Sequence, residues 1–278
     1  MSFIHHSLMM LEDAGMSVAY PDIDWITHDG KRSSFISSMQ GRRVSIEQNQ
    51  HLKLMMIFSI LDFHVDAIHP GMEGKPYSQK YKDLPSTGDY DLMLRELFRV
   101  AKVMRNALVH NPSAFSIANG NVKIGYLRGK TDFHMKMSKE ALDSFYTAIV
   151  MYLKGDMGRG SYFLGIMRSF YANMQAGIAV FSDEFGNALE QPSSSLKMKP
   201  YTRLVHPNSP HQISGGLVRI LVPERKAPAW EGLDFHITHN GDDFLIPREA
   251  LSEDLSISEH DLINNWRREG HFPQIKQP

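Results

Sequence analysis

Arg105, Asn106 and His110 stand within one short stretch, Arg105-Asn106-Ala107-Leu108-Val109-His110, and their types suit phosphodiester chemistry. Histidine moves a proton near neutral pH. Arginine keeps its charge, and its planar fork matches phosphate oxygens. Together they offer a proton acceptor and a charge partner that need no metal. On an ideal helix, residues five apart are separated by roughly 140° around the axis, so Arg105 and His110 do not share a face. Asn106 and His110, four apart, do share one. The arginine is long enough to curl toward the imidazole, especially where Pro112 unwinds the last turn. Asn106 is then placed to orient the ring or a ligand. A plainer role competes: basic groups in a last turn also complement the helix dipole.

The element that must carry these residues is a helix over 89–110. Leu94, Leu97, Ala101, Met104 and Leu108 form one apolar stripe along it, and Pro112 forbids its continuation. A second long helix is predicted from Ser45 to about His69, with a capping box at Ser45 and Gln48. A polar loop over 71–88 separates the two. Asn119-Gly120 marks a hairpin, and alternating Phe133, Met135 and Met137 suggest a third strand. Helices follow over 139–154 and about 162–181. The first 44 residues are mixed, with a short helix read from Ser7 to Met16 and a turn at Asp29-Gly30. After a Pro- and Ser-rich stretch the texture changes to short strands, a hairpin at Asn240-Gly241 and a final helix capped by Ser258. The expected architecture is mainly α: a helical domain over 1–190 with a β-hairpin insertion, a linker over 191–210, and a small α/β appendage over 211–278.

The string R-N-A-L-V-H resembles the R-x4-6-H motif of the HEPN superfamily, in its common R-N-x-x-x-H form. The resemblance covers one helix and its exit. It implies a HEPN-like helical bundle and a homodimer in which two motifs face each other. It also implies metal-independent endoribonuclease activity: the RNA 2′-hydroxyl attacks the adjacent phosphorus, leaving a 2′,3′-cyclic phosphate. In that scheme His110 is general base or acid, Arg105 stabilises charge on the phosphoryl oxygens, and Asn106 supports the geometry. Single-stranded RNA is the expected substrate. An antitoxin or other regulatory protein is a further expected partner, in keeping with toxin–antitoxin or antiviral defence roles. The alternative is a catalytically silent HEPN-like helical module that binds nucleotide, RNA or a protein. Pro112 occupies the position where one subset of the family carries a modified tyrosine, which argues against that mode of control.

Composition narrows the rest. There is no cysteine among the 278 residues, which removes disulfide, thiolate and zinc-ribbon chemistry and fits a reducing cytoplasm. The net charge of −1 gives no global field for nucleic acid, so an RNA surface must be local. Arg42, Arg43, Lys80, Lys82 and Lys123 are the candidate RNA contacts, with Lys75, Tyr77, Tyr81 and Tyr126 near some of them. No apolar run reaches the length of a bilayer span. Asp62, Asp66 and His69 recur at helical spacing but are read as a solvated face, so no metal and no cofactor is expected. Glu96 is read as an exposed glutamate paired with Arg95 or Arg99.

Overall fold

A computed structural model describes residues 20–28, 31–40, 49–154, 159–199, 203–221 and 232–268, with backbone alone over 20–40. Two strands open the described chain, β1 (Tyr20–His28) and β2 (Lys31–Gln40), paired antiparallel with His28 opposite Lys31. Helix α1 (Gln50–Ile68) follows. Asn49 caps it by accepting from the Leu52 amide at 2.9 Å. The predicted cap at Ser45 and the short helix read from Ser7 to Met16 lie outside the described residues. Leu54, Ile57, Phe58, Leu61 and Val65 are its buried stripe.

The stretch predicted as a polar loop holds a short helix, α2 (Tyr77–Asp83), that turns Lys80 and Tyr81 inward. Helix α3 (Asp89–His110) has the predicted bounds. A 3-10 turn over Pro112–Ala114 leads into a meander of β3 (Phe115–Ala118), β4 (Asn121–Arg128) and β5 (Thr131–Met137). Asn119 and Gly120 both have positive φ, 51° and 78°, as a two-residue hairpin turn requires. Helix α4 (Lys139–Lys154) is capped by Ser138, whose Oγ accepts from the Ala141 amide at 3.2 Å.

Helix α5 (Ser161–Ala176) stops five residues before the predicted end at Phe181. Gly177 ends it, where a Cβ would lie 2.6 Å from that of Ala141. The chain then forms β6 (Ile178–Ser182), which adds to β5 and completes a sheet of order β3-β4-β5-β6. Its inner face packs on α3 and α4.

The C-terminal part contains β7 (Leu204–His206), the hairpin β8 (His211–Ser214) and β9 (Leu217–Ile220), and the hairpin β10 (Leu233–His239) and β11 (Asp242–Pro247). Strand β12 (Ser256–Ser258) joins β9, and helix α6 (Glu259–Asn265) closes the described chain. Ser258 caps that helix by accepting from the Asp261 amide at 3.0 Å.

The fold is therefore mixed α/β, not the mainly α, HEPN-like helical bundle that was expected. Two features overturn it. Strand β6 replaces the end of a helix, because Met174, Ile178 and Phe181 happen to continue a helical spacing. The Tyr20–Gln40 hairpin also occupies a region with no helical content among its described residues.

The stretch over 191–199 is tied to the helices. Ser193 donates its amide and hydroxyl to Asp89 at 2.7 and 2.8 Å, and Arg168 binds the same carboxylate at 2.7 Å. Met198 is buried against Gly165. Farther on, Tyr162 of α5 donates to Asp234 of β10 at 2.6 Å.

Candidate active site at the end of the motif helix

Helix α3 carries a polar ridge opposite its apolar stripe: Arg95, Glu96, Arg99, Lys102, Arg105, Asn106 and His110. The segment following β6 covers the first part of it. Arg99 is fully buried and makes a two-pronged contact with Asp183, Nε to Oδ2 and Nη2 to Oδ1, both at 2.7 Å. The Asn187 carbonyl accepts from the same guanidinium at 2.8 Å. Lys102 pairs with Glu184, and Arg95 with Glu190. Phe185 packs against Tyr81 with ring centroids 4.5 Å apart and the rings tilted by 37°.

Glu96 is not the exposed glutamate that was expected. It is fully buried, and the Tyr81 hydroxyl donates to it at 2.8 Å. Burial raises its pKa above the ordinary carboxylate value. Burial, together with the nearby Glu96 charge, also pushes the Tyr81 phenol up to about 12. A helix face that reads as solvated by pattern is thus a buried charge cluster.

The cover ends at Lys102, and the last turn of α3 is open. Arg105 reaches forward, with Nη1 3.2 Å from His110 Nε2 and 3.1 Å from Asn106 Oδ1. The Tyr77 ring of α2 lies beneath the guanidinium, 5.1 Å from its central carbon. Asn111 ends the helix by donating its amide to the Ala107 carbonyl at 2.9 Å. Pro112 turns the chain away, which leaves His110 exposed. Pairing of β3 with β4 begins at Phe115 opposite Ile124, so Gly125–Arg128 of β4 extend past the start of β3.

Arginine has no acceptor, so the His110 nitrogen that faces it must present its lone pair. The imidazole is then neutral with its proton on Nδ1. Burial, followed by the positive charges of Arg105 and Arg128, holds its pKa below the usual histidine value. The ring is available as a base at neutral pH, beside a cation that has no carboxylate partner of its own among the described residues.

The remaining candidates scatter. Lys80 is buried between Asp62 and Asp66, at 2.7 and 2.6 Å, so its ammonium faces away from any RNA surface. The same contact fills the space between the two carboxylates with an ammonium. Among the described residues no cluster of three metal-ligating side chains occurs. Lys82 is exposed, with its ammonium 6.0 Å from the Phe185 ring centre. Lys123 is exposed on the outer face of the sheet. Arg42 and Arg43 lie outside the described residues. Arg128 and Tyr77 were not singled out for this site, since only the register of β4 and the α2 helix bring them to it.

No protein family, no curated protein and no solved structure matches the chain. Among the described residues no helix is long and apolar enough to cross a membrane.

Proposed function

We propose that this chain is a metal-independent endoribonuclease that uses HEPN-type chemistry on a mixed α/β fold. Function resides in the site rather than the fold. The supporting observation is the 3.2 Å approach of Arg105 to a neutral, exposed His110 at an open helix end. In the proposed step His110 Nε2 takes the proton from an RNA 2′-hydroxyl. The 2′-oxygen then bonds to the adjacent phosphorus while the bond from phosphorus to the 5′-oxygen breaks. Arg105 leaves the imidazole for the phosphoryl oxygens and neutralises their developing charge. Asn106 holds the guanidinium in range. The departing 5′-oxygen takes its proton from a second imidazole, which a homodimer supplies by bringing two motifs together, or from water. The products are a 2′,3′-cyclic phosphate and a 5′-hydroxyl. The lack of cysteine supports a cytoplasmic setting, and a toxin or antiphage effector is the biological role that suits such an activity.

The deciding experiment incubates the purified full chain with labelled single-stranded RNA in EDTA, beside His110→Ala. Cleavage by the first and not the second supports the reading. No cleavage by either, at any protein concentration, sinks it. A second reading, a silent module that binds RNA or nucleotide phosphate, is favoured by one feature: each copy offers a single imidazole for two proton transfers. Under that reading His110→Ala changes phosphate affinity, and neither protein cuts.

A further inference from the structure

The four-stranded sheet has one covered face and one open face. Val122, Ile124, Phe133 and Met135 are buried on the covered face. On the open face the register sets Ser116 beside Lys123, Lys123 opposite Lys136, and Lys136 beside Val180, and all four are exposed. Two ammonium groups directly opposite across adjacent strands repel each other. Among the described residues neither lysine makes an ion pair or a side-chain hydrogen bond. Asp132 shares their face but lies four residues from Lys136, roughly 13 Å along the strand. Glu140, near the other end, is bound to Ser138 and to its own amide. The lysine pair is therefore a local positive centre on a chain of nearly balanced charge.

A groove of about 490 Å³ crosses this face, lined by Lys123 and Lys136 together with Ser116, Asn121, Ser138 and Gly177. The stacked rings of Tyr126 and Phe133 pair on the opposite face, so the groove offers ammonium groups and hydroxyls among small or aliphatic residues such as Ala118 and Ala179, and no aromatic stacking platform for bases. Its occupant must be read through negative charge. We propose that the groove binds the sugar–phosphate backbone of a single-stranded nucleic acid, with Lys123 and Lys136 flanking a phosphate. This rests on the endoribonuclease reading and gives it a substrate track. Strand β4 runs from Lys123 to Arg128, roughly 17 Å, and the Arg128 charge acts on His110. Arg128 alternates onto the covered face, where α3 packs, so RNA laid along β4 from the groove turns round the end of the sheet at Arg128 to reach the open end of α3. Because contact is with the backbone, the groove holds RNA and DNA alike, and discrimination comes only from the 2′-hydroxyl at His110.

The test is fluorescence anisotropy on the full chain carrying His110→Ala, in EDTA, with labelled oligouridylate and oligothymidylate of equal length. Adding Lys123→Ala and Lys136→Ala should weaken binding of both about tenfold or more. It should also lower the slope of log affinity against log salt by ~1.4, since each phosphate contact on a single strand contributes about 0.7. Lys197→Ala with Lys199→Ala, an exposed pair elsewhere, should leave both quantities unchanged. Unaltered binding in the Lys123/Lys136 variant, or an equal loss in the control pair, overturns the proposal. So does displacement of the oligonucleotide by polyglutamate at matched charge, which marks an acidic protein as the occupant. Loss of binding in the lysine variant from a chain whose wild type cuts no RNA leaves the groove standing and removes the nuclease. Cleavage by wild type with an inert lysine pair does the reverse.

Discussion

Nη1 of Arg105 stands 3.2 Å from Nε2 of His110, so a donor-only cation already occupies the lone pair on which base catalysis depends. The contact keeps the imidazole neutral but must be exchanged for a phosphate before the proton can move. Removing a general base typically lowers the rate about a hundredfold to ten-thousandfold, and removing a charge partner costs a comparable factor. His110→Ala and Arg105→Ala are each expected to lower RNA cleavage by that range without unfolding the chain. Arg105→Lys should recover only part, because a point charge replaces a fork. Asn106→Ala should be milder, and EDTA should change nothing. Cleavage assays on gels, with circular dichroism as the fold control, check all four; activity lost in EDTA and restored by a divalent metal contradicts the scheme.

The pH dependence follows from the same ring. Burial, then Arg105 and Arg128, lower the His110 pKa. Cleavage should fall as pH drops through that lowered value, below 6.5, as the base becomes protonated. Arg105→Gln and Arg128→Gln should each move the acidic limb upward. The sign for stability is separate: the unfolded chain takes up the proton first, so His110 makes the fold less stable as pH falls below 6.5. An NMR titration of the His110 ring in the two variants measures the shift directly, and an unmoved or lower pKa contradicts the assignment.

Arg99 and Asp183 anchor the segment that covers the rest of the ridge. Both side chains are fully buried. Breaking a buried pair by removing one partner strands a charge and typically costs about 3–5 kcal/mol. Arg99→Met and Asp183→Leu should each lower the melting temperature by roughly 6–20 °C, at about 2–4 °C per kcal/mol for a chain of this size. The double variant should lose less than the sum, since neither member of the pair is left without the other and Glu96 keeps Arg95 at 3.5 Å. Limited proteolysis within 183–190 should accelerate in the single variants. Additive losses contradict a coupled pair.

Lys80 makes a distinct prediction at the alkaline end. Burial acts to lower its pKa, but hydrogen bonds and charge from Asp62 and Asp66 win, and the value is raised. A lysine stabilised in this way contributes below its unfolded value of 10.5 and loses the contribution as pH rises through the folded value. Lys80→Met should cost about 2–3 kcal/mol at neutral pH, below the full buried-pair cost because both carboxylates are partly solvated. Above the folded pKa the wild type and the variant should converge. Denaturant midpoints across pH test this; a constant gap into strong alkali contradicts it.

The motif helix was legible because its apolar stripe and Pro112 set both ends, and its bounds came out at Asp89 and His110. The Arg105–His110 contact was legible from side-chain length alone. Other parts depend on tertiary pairing that no local pattern records. Strand β6 hid behind Ile178 and Phe181, whose spacing from Met174 suits a helix as well as a strand. Glu96 and Lys80 looked solvated because charge usually is; their burial goes with partners from another helix, Tyr81 for Glu96 at 15 residues' separation and Asp62 for Lys80 at 18. Arg128 reaches the site only through the β3–β4 register.

The C-terminal strands carry none of the candidate chemistry, yet they hold partners that the helices need. Tyr162 of α5 donates to Asp234 of β10, and Arg203 binds both Asp234 and Glu249. Asp234 is fully buried, and burial raises its pKa despite the arginine. Truncation after residue 210 removes Asp234 and Glu249, leaving the Tyr162 hydroxyl and the Arg203 guanidinium without these acceptors. A buried donor left unpaired costs about 1–3 kcal/mol, more for a charged group. The truncated chain should therefore melt at lower temperature than the full chain while retaining helical circular dichroism. Tyr162→Phe in the full chain separates the hydroxyl from the rest: it should produce a smaller loss of about 1 kcal/mol. If the truncated chain melts with the full chain, the Tyr162–Asp234–Arg203 cluster does not couple the two parts, and the C-terminal strands are an independent unit.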